Sequence, residues 1–243
     1  TLESYWLHGA VAKNLKTKVD LVYTETTTRF DDYGKYHFDD ISKPFHDEMT
    51  TIYEKKTNEQ GIARIPIDFE TNRNAPGKLR ANFVVKVFEQ GGNFSINQVS
   101  KTFHPFTSYV GVHVPEGENY RGMLTTDTTH TANLVIVDYQ GKPVRQTRSI
   151  EMKLYKLSWR WWWDRYRGDL ANYAGRTYKK PYRTGRVRAK NGSASWSFRI
   201  NYPDYGRFLL KAYDPISGHS TAQVVYVDWP WYQRRKQDKG GVT

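Results

Sequence analysis

Short runs of alternating apolar and polar residues constrain the fold of this chain more than any other feature of its sequence. They recur about every ten residues, and no long segment carries apolar residues at helical spacing. Because successive side chains of a strand point to opposite faces of a sheet, this alternation predicts half-buried β-strands. The clearest runs cover 19–23, 63–69, 83–87, 109–114, 132–138, 150–163, 194–200, 207–212 and 221–227. The predicted fold class is all-β, with immunoglobulin-like or fibronectin-like antiparallel β-sandwiches.

Turn residues separate these runs. The segments NEQG (58–61) and DYQG (138–141) each end in glycine, which adopts a positive φ at little cost. The segment DPISG (214–218) has proline early and glycine late, as a hairpin connection does. These turns favour strands that return antiparallel to one another.

The run 150–163 has apolar residues on both of its faces. Ile150, Met152 and Leu154 share one face, whereas the residues at 155, 157, 159, 161 and 163 share the other. One core cannot bury both sets in a regular strand. We expect either a β-bulge near 154–156 or a strand that is covered on both faces.

The charge distribution supports two structural units. Residues 1–106 contain 14 Lys and Arg and 14 Asp and Glu, whereas residues 107–243 contain 23 and 11, so the whole net charge of +12 lies in the second half. Each half also opens with a strand, has a glycine turn near its middle and closes with a hairpin. We therefore predict one sandwich domain over 1–106 and a second over 107–243, the latter with a polar C-terminal tail.

Several classes of function find no support in the sequence. The chain has no Cys, which excludes disulfides and thiolate sites, and its seven His lack the spacing of metal motifs. It has no nucleophile elbow, no phosphate-binding glycine loop and no apolar run of roughly 18 residues. We expect neither an enzyme nor a cofactor, a metal site or a small-molecule substrate.

Four Trp within five positions form the most unusual block, SWRWWWDRY over 158–166. Arg160, Trp161, Trp162 and Trp163 are candidate contacts with a neighbouring domain or partner, with Arg160 placed for a cation–π interaction with Trp162. Core or interdomain packing is one interpretation, since large aromatic residues are mostly buried. An exposed aromatic platform for sugar is the other. Near the end of the second domain, Trp229 and Trp231 are further candidate interdomain contacts.

A basic segment follows at 179–190, where Arg183, Arg186 and Arg188 are candidate contacts. Charges alternate along its second part, as on one solvated face of an exposed edge strand that resists aggregation. The alternative is attraction of an acidic protein or a lipid surface. Basic residues interleaved with Tyr can also bind phosphates, but no recognition helix or stacking motif accompanies them, so we expect no nucleic acid partner.

An acidic stretch in the first half has two interpretations. Asp31, Asp32, Asp39, Asp40 and the pair at 47–48 could offer oxygen ligands to calcium. The stretch lacks EF-hand spacing and is interrupted by basic residues, which favours a structural loop.

The sequence also resembles a known family. YWLHGAVAKNLKTKVDLV, TNEQGIARIPI and VVKVFEQGGNFS resemble one macroglobulin-like domain of bacterial alpha-2-macroglobulins. ANLVIVDYQGKPV, KLYKLSWRWWWDRY and NYPDYGRFLLKAYDPISGHSTAQVVYVDWPWY resemble the next. The combination of the GKPV turn, the WRWWWD strand and the DPISG hairpin carries most of the resemblance. It implies two tandem macroglobulin-like sandwiches, the fifth and sixth, which precede the bait region in that family.

The resemblance implies a role as well as a fold. Members of that family are protease traps of the cell envelope, in which an attacking protease cuts a bait segment and the protein changes conformation around it. The Cys-x-Glu-Gln thioester of many members is not in this chain, since it has no Cys. The implied role is a non-catalytic scaffold whose partners are neighbouring domains of the same polypeptide and, through the intact protein, target proteases. A periplasmic or envelope location is expected, with a membrane anchor in an N-terminal part of the parent. The alternative is a carbohydrate-binding or adhesive sandwich of an envelope polysaccharide system.

Overall fold

A computed structural model describes residues 1–66, 74–89, 91–117, 122–157 and 180–229, and these residues are nearly all strands and turns. The only helical element within these ranges is a single 3-10 turn, Asp31–Tyr33. None of the described segments forms a helix that is long and apolar enough to cross a membrane. The predicted all-β fold class is confirmed. The strands are β1 (Leu2–Glu3), β2 (Lys16–Glu25), β3 (Thr50–Lys56), β4 (Ile62–Ala63), β5 (Leu79–Phe88), β6 (Phe94–Phe103), β7 (Ser108–His113), β8 (Leu124–Thr125), β9 (Thr129–Asp138), β10 (Arg148–Lys156), β11 (Arg183–Ala189), β12 (Ser193–Arg199), β13 (Gly206–Tyr213) and β14 (Ser220–Asp228).

The chain forms two compact units, and one of them is discontinuous in sequence. The first unit comprises 1–26 and 45–105, and the second comprises 27–44 and 106–243. The domain limits predicted from the sequence, 1–106 and 107–243, stay a prediction. The contacts differ from them chiefly in assigning residues 27–44 to the second unit. We call residues 27–44 the strap.

The first unit is built on a four-stranded antiparallel sheet in the order β3-β2-β5-β6, with a separate β1-β4 pair. Alternate residues of β2 and β5 are buried on one face, among them Val19, Leu21, Leu79, Ala81 and Val85. The register of β2 against β3 shifts between Val19 and Asp20, which marks an irregularity in this pairing. The alternation in the sequence therefore correctly identified the two central strands.

Polar cross-strand contacts line the opposite face of this sheet. Asn82 donates to the Thr24 hydroxyl at 3.0 Å and accepts from the Ser100 hydroxyl at 2.7 Å, so it joins three strands. The buried carboxylate of Asp20 accepts from Thr51 at 2.7 Å. Such pairs stabilise a sheet by tenths of a kcal/mol to about 1 kcal/mol each.

The second unit is a sandwich of two sheets. A five-stranded sheet in the order β11-β10-β13-β14-β8 packs on a three-stranded sheet in the order β12-β9-β7. The alternating side chains of both inner faces form one core, as the sequence pattern predicts. Its fully buried members include Val110, Val112, Leu134, Ile136, Ile150, Met152, Leu154, Ile200, Phe208 and Leu210.

Strand β10 forms the first part of the run 150–163, which has apolar residues on both faces. Its pairings with β11 and β13 keep one register up to Lys156, so the β-bulge expected near 154–156 is not formed. Met152 and Leu154 face the core between the sheets. On the opposite face, Leu157 packs with Leu209, Ala222 and the partly buried Tyr155 and Val224. On this outer face Tyr155 is partly buried and Leu157 is buried, whereas positions 159, 161 and 163 of the second apolar set lie outside the described residues.

The predicted turns form as expected. Gly141 ends the DYQG turn with φ +87°, and the Asp138 carboxylate accepts backbone N–H groups from Gln140 and Lys142 at 2.8 and 2.9 Å. In the DPISG hairpin, the Asp214 carboxylate accepts the Ile216 N–H at 3.0 Å. Side-chain caps of this kind satisfy backbone donors that the ladder leaves unpaired.

Candidate functional site

The basic segment forms the outermost strand of the five-stranded sheet in the described part of the chain. Arg183, Arg186 and Arg188 of β11 are all exposed. Arg186 lies opposite Glu151 and donates to its carboxylate at 2.9 Å, whereas Arg188 lies opposite Ser149. Among the described strands, β11 is therefore a solvated edge as predicted, and one of its charges is compensated by a neighbour.

The three arginines do not share one face of the strand. Residue parity places Arg186 and Arg188 on the outer face of the sheet, whereas Arg183 lies on the other face, where it donates to the Arg199 carbonyl at 3.4 Å. The fold therefore brings Arg186 and Arg188 together on one face, whereas Arg183 is apart from them.

The end of the second sandwich exposes a pair of aromatic rings. Trp229 is 44% exposed and Tyr202 is 50% exposed, and their ring centroids lie 4.9 Å apart. The Trp229 backbone N–H donates to the Asp228 carboxylate at 2.8 Å, which fixes the chain at this point. Trp229 thus offers a partly open aromatic surface, whereas Arg160, Trp161, Trp162, Trp163 and Trp231 lie outside the described residues.

The strap closes one side of the second sandwich, and the sequence analysis did not identify it. His37 exchanges two backbone hydrogen bonds with Val112 of β7, at 2.8 and 2.9 Å. Three residues later, Asp40 pairs in parallel with Ala222 of β14, whose N–H donates to the Asp39 carbonyl at 3.1 Å. Strand β8 pairs with the other end of β14, at Val227 and Asp228. The strap therefore links the two sheets and satisfies edge groups of both.

Asp40 anchors the strap through a buried ion pair. Its carboxylate is fully buried and lies 2.8 Å from Lys211 Nζ on β13. The hydroxyls of Ser220 and Ser42 donate to it, each at 2.5 Å. Burial alone would raise the pKa of Asp40, but Lys211 and the two hydroxyls lower it below its usual value. The strap is thus held by a fully satisfied charge.

Two aromatic side chains hold the strap on the outer face of the three-stranded sheet. Phe38 is 1% exposed, and its ring lies directly over Gly111, where any side chain would collide with it. Phe30 packs against Phe38 at 4.9 Å and against Tyr109 at 5.6 Å between ring centroids. Glycine at position 111 is therefore required for this close approach.

A buried histidine completes the same edge. His219 is fully buried, and its Nδ1 accepts the Val110 N–H at 3.0 Å, so the neutral ring carries its proton on Nε2. The ring packs edge-on against Phe106 and Tyr109, each at 4.8 Å. Burial lowers the pKa of His219 to about 3, with Lys43 adding to the effect. The ring is neutral at physiological pH and structural in role.

A second buried ion pair supports the DPISG hairpin. Arg148 Nη1 lies 2.7 Å from the Asp214 carboxylate and also donates to the Ser108 hydroxyl at 2.9 Å. The Ser217 hydroxyl donates to the same carboxylate at 2.9 Å. The hairpin, the entry to β7 and the start of β10 are therefore tied together below the surface.

The side chains that could suggest chemistry are engaged separately. Within the described ranges, no group of three or more His, Asp and Glu is placed to hold a metal ion. His130 Nε2 lies 2.7 Å from the Thr125 carbonyl, whereas Asp127 pairs with Arg199 at 3.7 Å. In the acidic stretch, Asp39 accepts the Thr28 N–H and Asp40 binds Lys211. This supports the structural-loop interpretation of that stretch over a calcium site.

Two family profiles match the chain in consecutive order. "Bacterial Alpha-2-macroglobulin MG5 domain" matches residues 1–105, and "Bacterial macroglobulin domain 6" matches residues 111–229. Among curated proteins, no sequence matches.

Solved structures with a similar fold are alpha-2-macroglobulins. Trypsin-activated alpha-2-macroglobulin from Escherichia coli is 14% identical with a TM-score of 0.59, over 93% of this chain and 15% of that one. The native conformation of the E. coli protein gives 13% and 0.53, over 92% and 14%. A Salmonella alpha-2-macroglobulin variant gives 12% and 0.53, over 92% and 15%. This chain thus spans about one seventh of the length of these proteins. It belongs to the bacterial alpha-2-macroglobulin family, with the fifth and sixth macroglobulin-like domains in tandem.

Proposed function

We propose that this chain is a non-catalytic scaffold segment of a broad-spectrum endopeptidase inhibitor, a protease trap of the bacterial cell envelope. The observation that carries the proposal is the consecutive match of the two family profiles over nearly the whole chain. The inhibition itself belongs to the intact parent protein. The contribution of these residues is geometric: they hold other parts of the parent in place.

The buried interactions of the second unit support a scaffold role. Two internal ion pairs, Lys211–Asp40 and Arg148–Asp214, lie beneath the surface with their carboxylates fully buried. Each carboxylate also accepts hydroxyl hydrogen bonds, so neither is available to bind a substrate. Buried carboxylates that bind a cation and hydroxyl groups favour a single arrangement of the strands, as a rigid support requires.

A trap can be distinguished from an active-site inhibitor by substrate size. The intact parent is incubated with endopeptidases of different specificity, and residual activity is measured on a small peptide and on a large protein substrate. A trap is expected to suppress cleavage of the large substrate while sparing the small one, because the enclosed protease keeps an open active site. Equal suppression of both substrates, or of neither, would contradict the proposal.

The candidate contacts with neighbouring domains are tested in the same parent. Trp229→Ala and Trp231→Ala are expected to lower its melting temperature, with Tyr205→Ala, another aromatic residue of the second unit and itself exposed, as the control. An unchanged melting temperature for both Trp variants would remove these residues from the proposed interface.

Fractionation of cells that carry the parent tests the proposed periplasmic or envelope location, and recovery from the cytoplasm would exclude it.

The alternative function, carbohydrate binding or adhesion, has one observation in its favour. Tyr202 and Trp229 form an exposed aromatic pair of the kind that stacks on sugar rings. Titration of the chain with envelope polysaccharide, followed by Trp fluorescence, tests this function. Saturable binding that Trp229→Ala abolishes would favour it over the scaffold.

A further inference from the structure

The contact between the strap and the rest of the second unit has the form of peptide recognition by strand addition. Backbone hydrogen bonds join the strap to the edge of β7 at Val112 and to the edge of β14 at Ala222. Recognition of this type draws affinity from main-chain pairing and specificity from pockets for alternate side chains. The strap shows both elements.

Two side chains supply the specificity. Each occupies a binding position that we call a seat. The Phe38 ring packs on the backbone of Gly111, and the carboxylate of Asp40, two residues on, binds Lys211 and Ser220. Gly111 belongs to the three-stranded sheet, whereas Lys211 and Ser220 belong to the five-stranded one, so the strap places one of these side chains on each sheet. The Thr221 hydroxyl donates to the His37 carbonyl at 3.0 Å and fixes the register.

The contacts of the strap described above lie within the second unit. Every group that contacts Phe38 and Asp40 in the interactions above lies in 27–44 or in 106–229. The strap continues into the first unit at 26–27 and at 44–45, and no disulfide is possible in a chain without Cys.

We propose that the second sandwich carries a strand-addition site for an extended segment with an aromatic residue two positions before an acidic one, and that residues 27–44 are its resident, exchangeable ligand. The same segment from another copy of the chain fits the site equally well. This inference concerns the second sandwich alone and is independent of the proposed protease trap.

The experiment converts the strap into a separate peptide. Protease recognition sequences are inserted after Thr26 and after Pro44 in the full chain, which is then cut at both sites. Fluorescein-labelled 27–44 peptide is added in excess, and its binding is followed by fluorescence anisotropy. We expect the cut strap to stay bound through gel filtration and to exchange with the labelled peptide in a saturable manner.

Peptide variants test the two seats. Asp40→Asn is expected to weaken binding roughly tenfold or more, because it removes a hydrogen-bonded charge from Lys211. Phe38→Ala is expected to weaken it roughly a hundredfold or more. Asp31→Asn changes an exposed carboxylate of the same peptide and serves as the matched control, with binding unchanged within about twofold.

A disulfide lock identifies the site of binding. His37 and Val112 form a hydrogen-bonded antiparallel pair, whose Cα atoms lie about 5.5 Å apart and within reach of a disulfide. In the cut chain with His37→Cys and Val112→Cys, oxidation should abolish binding of the labelled peptide and reduction should restore it. Equal binding of the labelled peptide to the oxidised and the reduced chain would show that it associates elsewhere and would overturn the proposal.

Two further results would overturn it. One is equal binding of all peptide variants, and the other is unfolding of the second sandwich on cutting, which would make the strap an inseparable part of the core.

Native-state hydrogen exchange on the unaltered chain gives an independent check. The amides of Val112 and Ala222 should exchange through a local opening that leaves the β9–β12 amides protected. Exchange of both amides only with global unfolding would contradict an exchangeable strap.

Discussion

Replacing Gly111 by alanine should destabilise the second unit, and Phe38 should determine the sign of the change. A Cβ built on Gly111 lies 2.6 Å from Cε1 and 2.7 Å from Cζ of the Phe38 ring. Ordinary contact between carbon atoms is about 3.5–4.0 Å, so something must move by about 1 Å. The ring is 1% exposed, and overpacking at such a site costs about 1–3 kcal/mol of the free energy of unfolding.

Without the Phe38 ring, the same substitution should be neutral or favourable. Gly111 lies inside β7 and does not have a positive φ, so alanine is allowed there. Glycine in a strand interior is about 0.5–1 kcal/mol less favourable than alanine. Phe38→Ala alone is expected to cost about 3–5 kcal/mol. In that background, Gly111→Ala should change from destabilising to stabilising, which amounts to a coupling energy of about 1.5–4 kcal/mol.

The assay is urea unfolding of the wild type, both single variants and the double variant, followed by far-UV circular dichroism. Gly34→Ala, in the same strap but facing open space, is the control and should change stability by less than about 0.5 kcal/mol. If Phe38→Ala does not fold, Phe38→Leu takes its place in the cycle. Equal destabilisation by Gly111→Ala in both backgrounds would refute the reasoning, because the collision would then not involve the Phe38 ring.

Three other predictions follow from buried and exposed charges. Because burial lowers the pKa of His219 from 6.5 to about 3, the unfolded chain binds the extra proton between these values. The contribution of His219 to stability is therefore complete above pH 6.5 and decreases as the pH falls, by at most about 1.4 kcal/mol per pH unit. His219→Phe should reduce the loss of stability between pH 7 and pH 5 in urea titrations, and an unchanged loss would assign it to other groups. Arg148→Met should cost about 3–5 kcal/mol in thermal unfolding, because it leaves the Asp214 carboxylate buried without its partner. Adding Asp214→Asn should recover part of that cost, and no recovery would argue against an uncompensated charge. Arg186→Ala, which breaks an exposed pair with Glu151, should change stability by less than about 1 kcal/mol, with any effect declining as salt is added. A larger loss that is insensitive to salt would point to a packing role.

Strands whose two faces differ in environment could be predicted from the sequence. Alternation is a local signal, and it located β2, β5, β7, β9, β12, β13 and β14 because each presents one face to a core. Strand β6 was missed because nearly all of its side chains are exposed, so its sequence FSINQVSKTF has no apolar stripe. The bulge expected in β10 was wrong because local pattern does not reveal what covers the outer face of a sheet.

In the candidate site, too, some features could be predicted from the sequence and others could not. The exposed edge strand was predictable, since alternating Arg186 and Arg188 is a local signal. The strap was not, because the partners of Asp40 lie far away in sequence, at Lys211 and Ser220. The sequence HFDD does not show whether its carboxylates are buried or exposed to solvent, because that depends on the fold around them.

The discontinuity of the second unit sets an order of events during synthesis. The hydrogen bond between Asp40 and Ser220 closes a loop of 180 residues, so the strap leaves the ribosome long before its seat exists. Phe30 and Phe38 can reach Tyr109 and Gly111 once β7 has been made, whereas Asp40 lacks its partners until β13 and β14 follow. Contacts of such sequence separation form late and slowly. A nascent chain that stops before Lys211 would leave the Asp40 carboxylate without Lys211 and Ser220, whereas one that passes Ser220 can bury it.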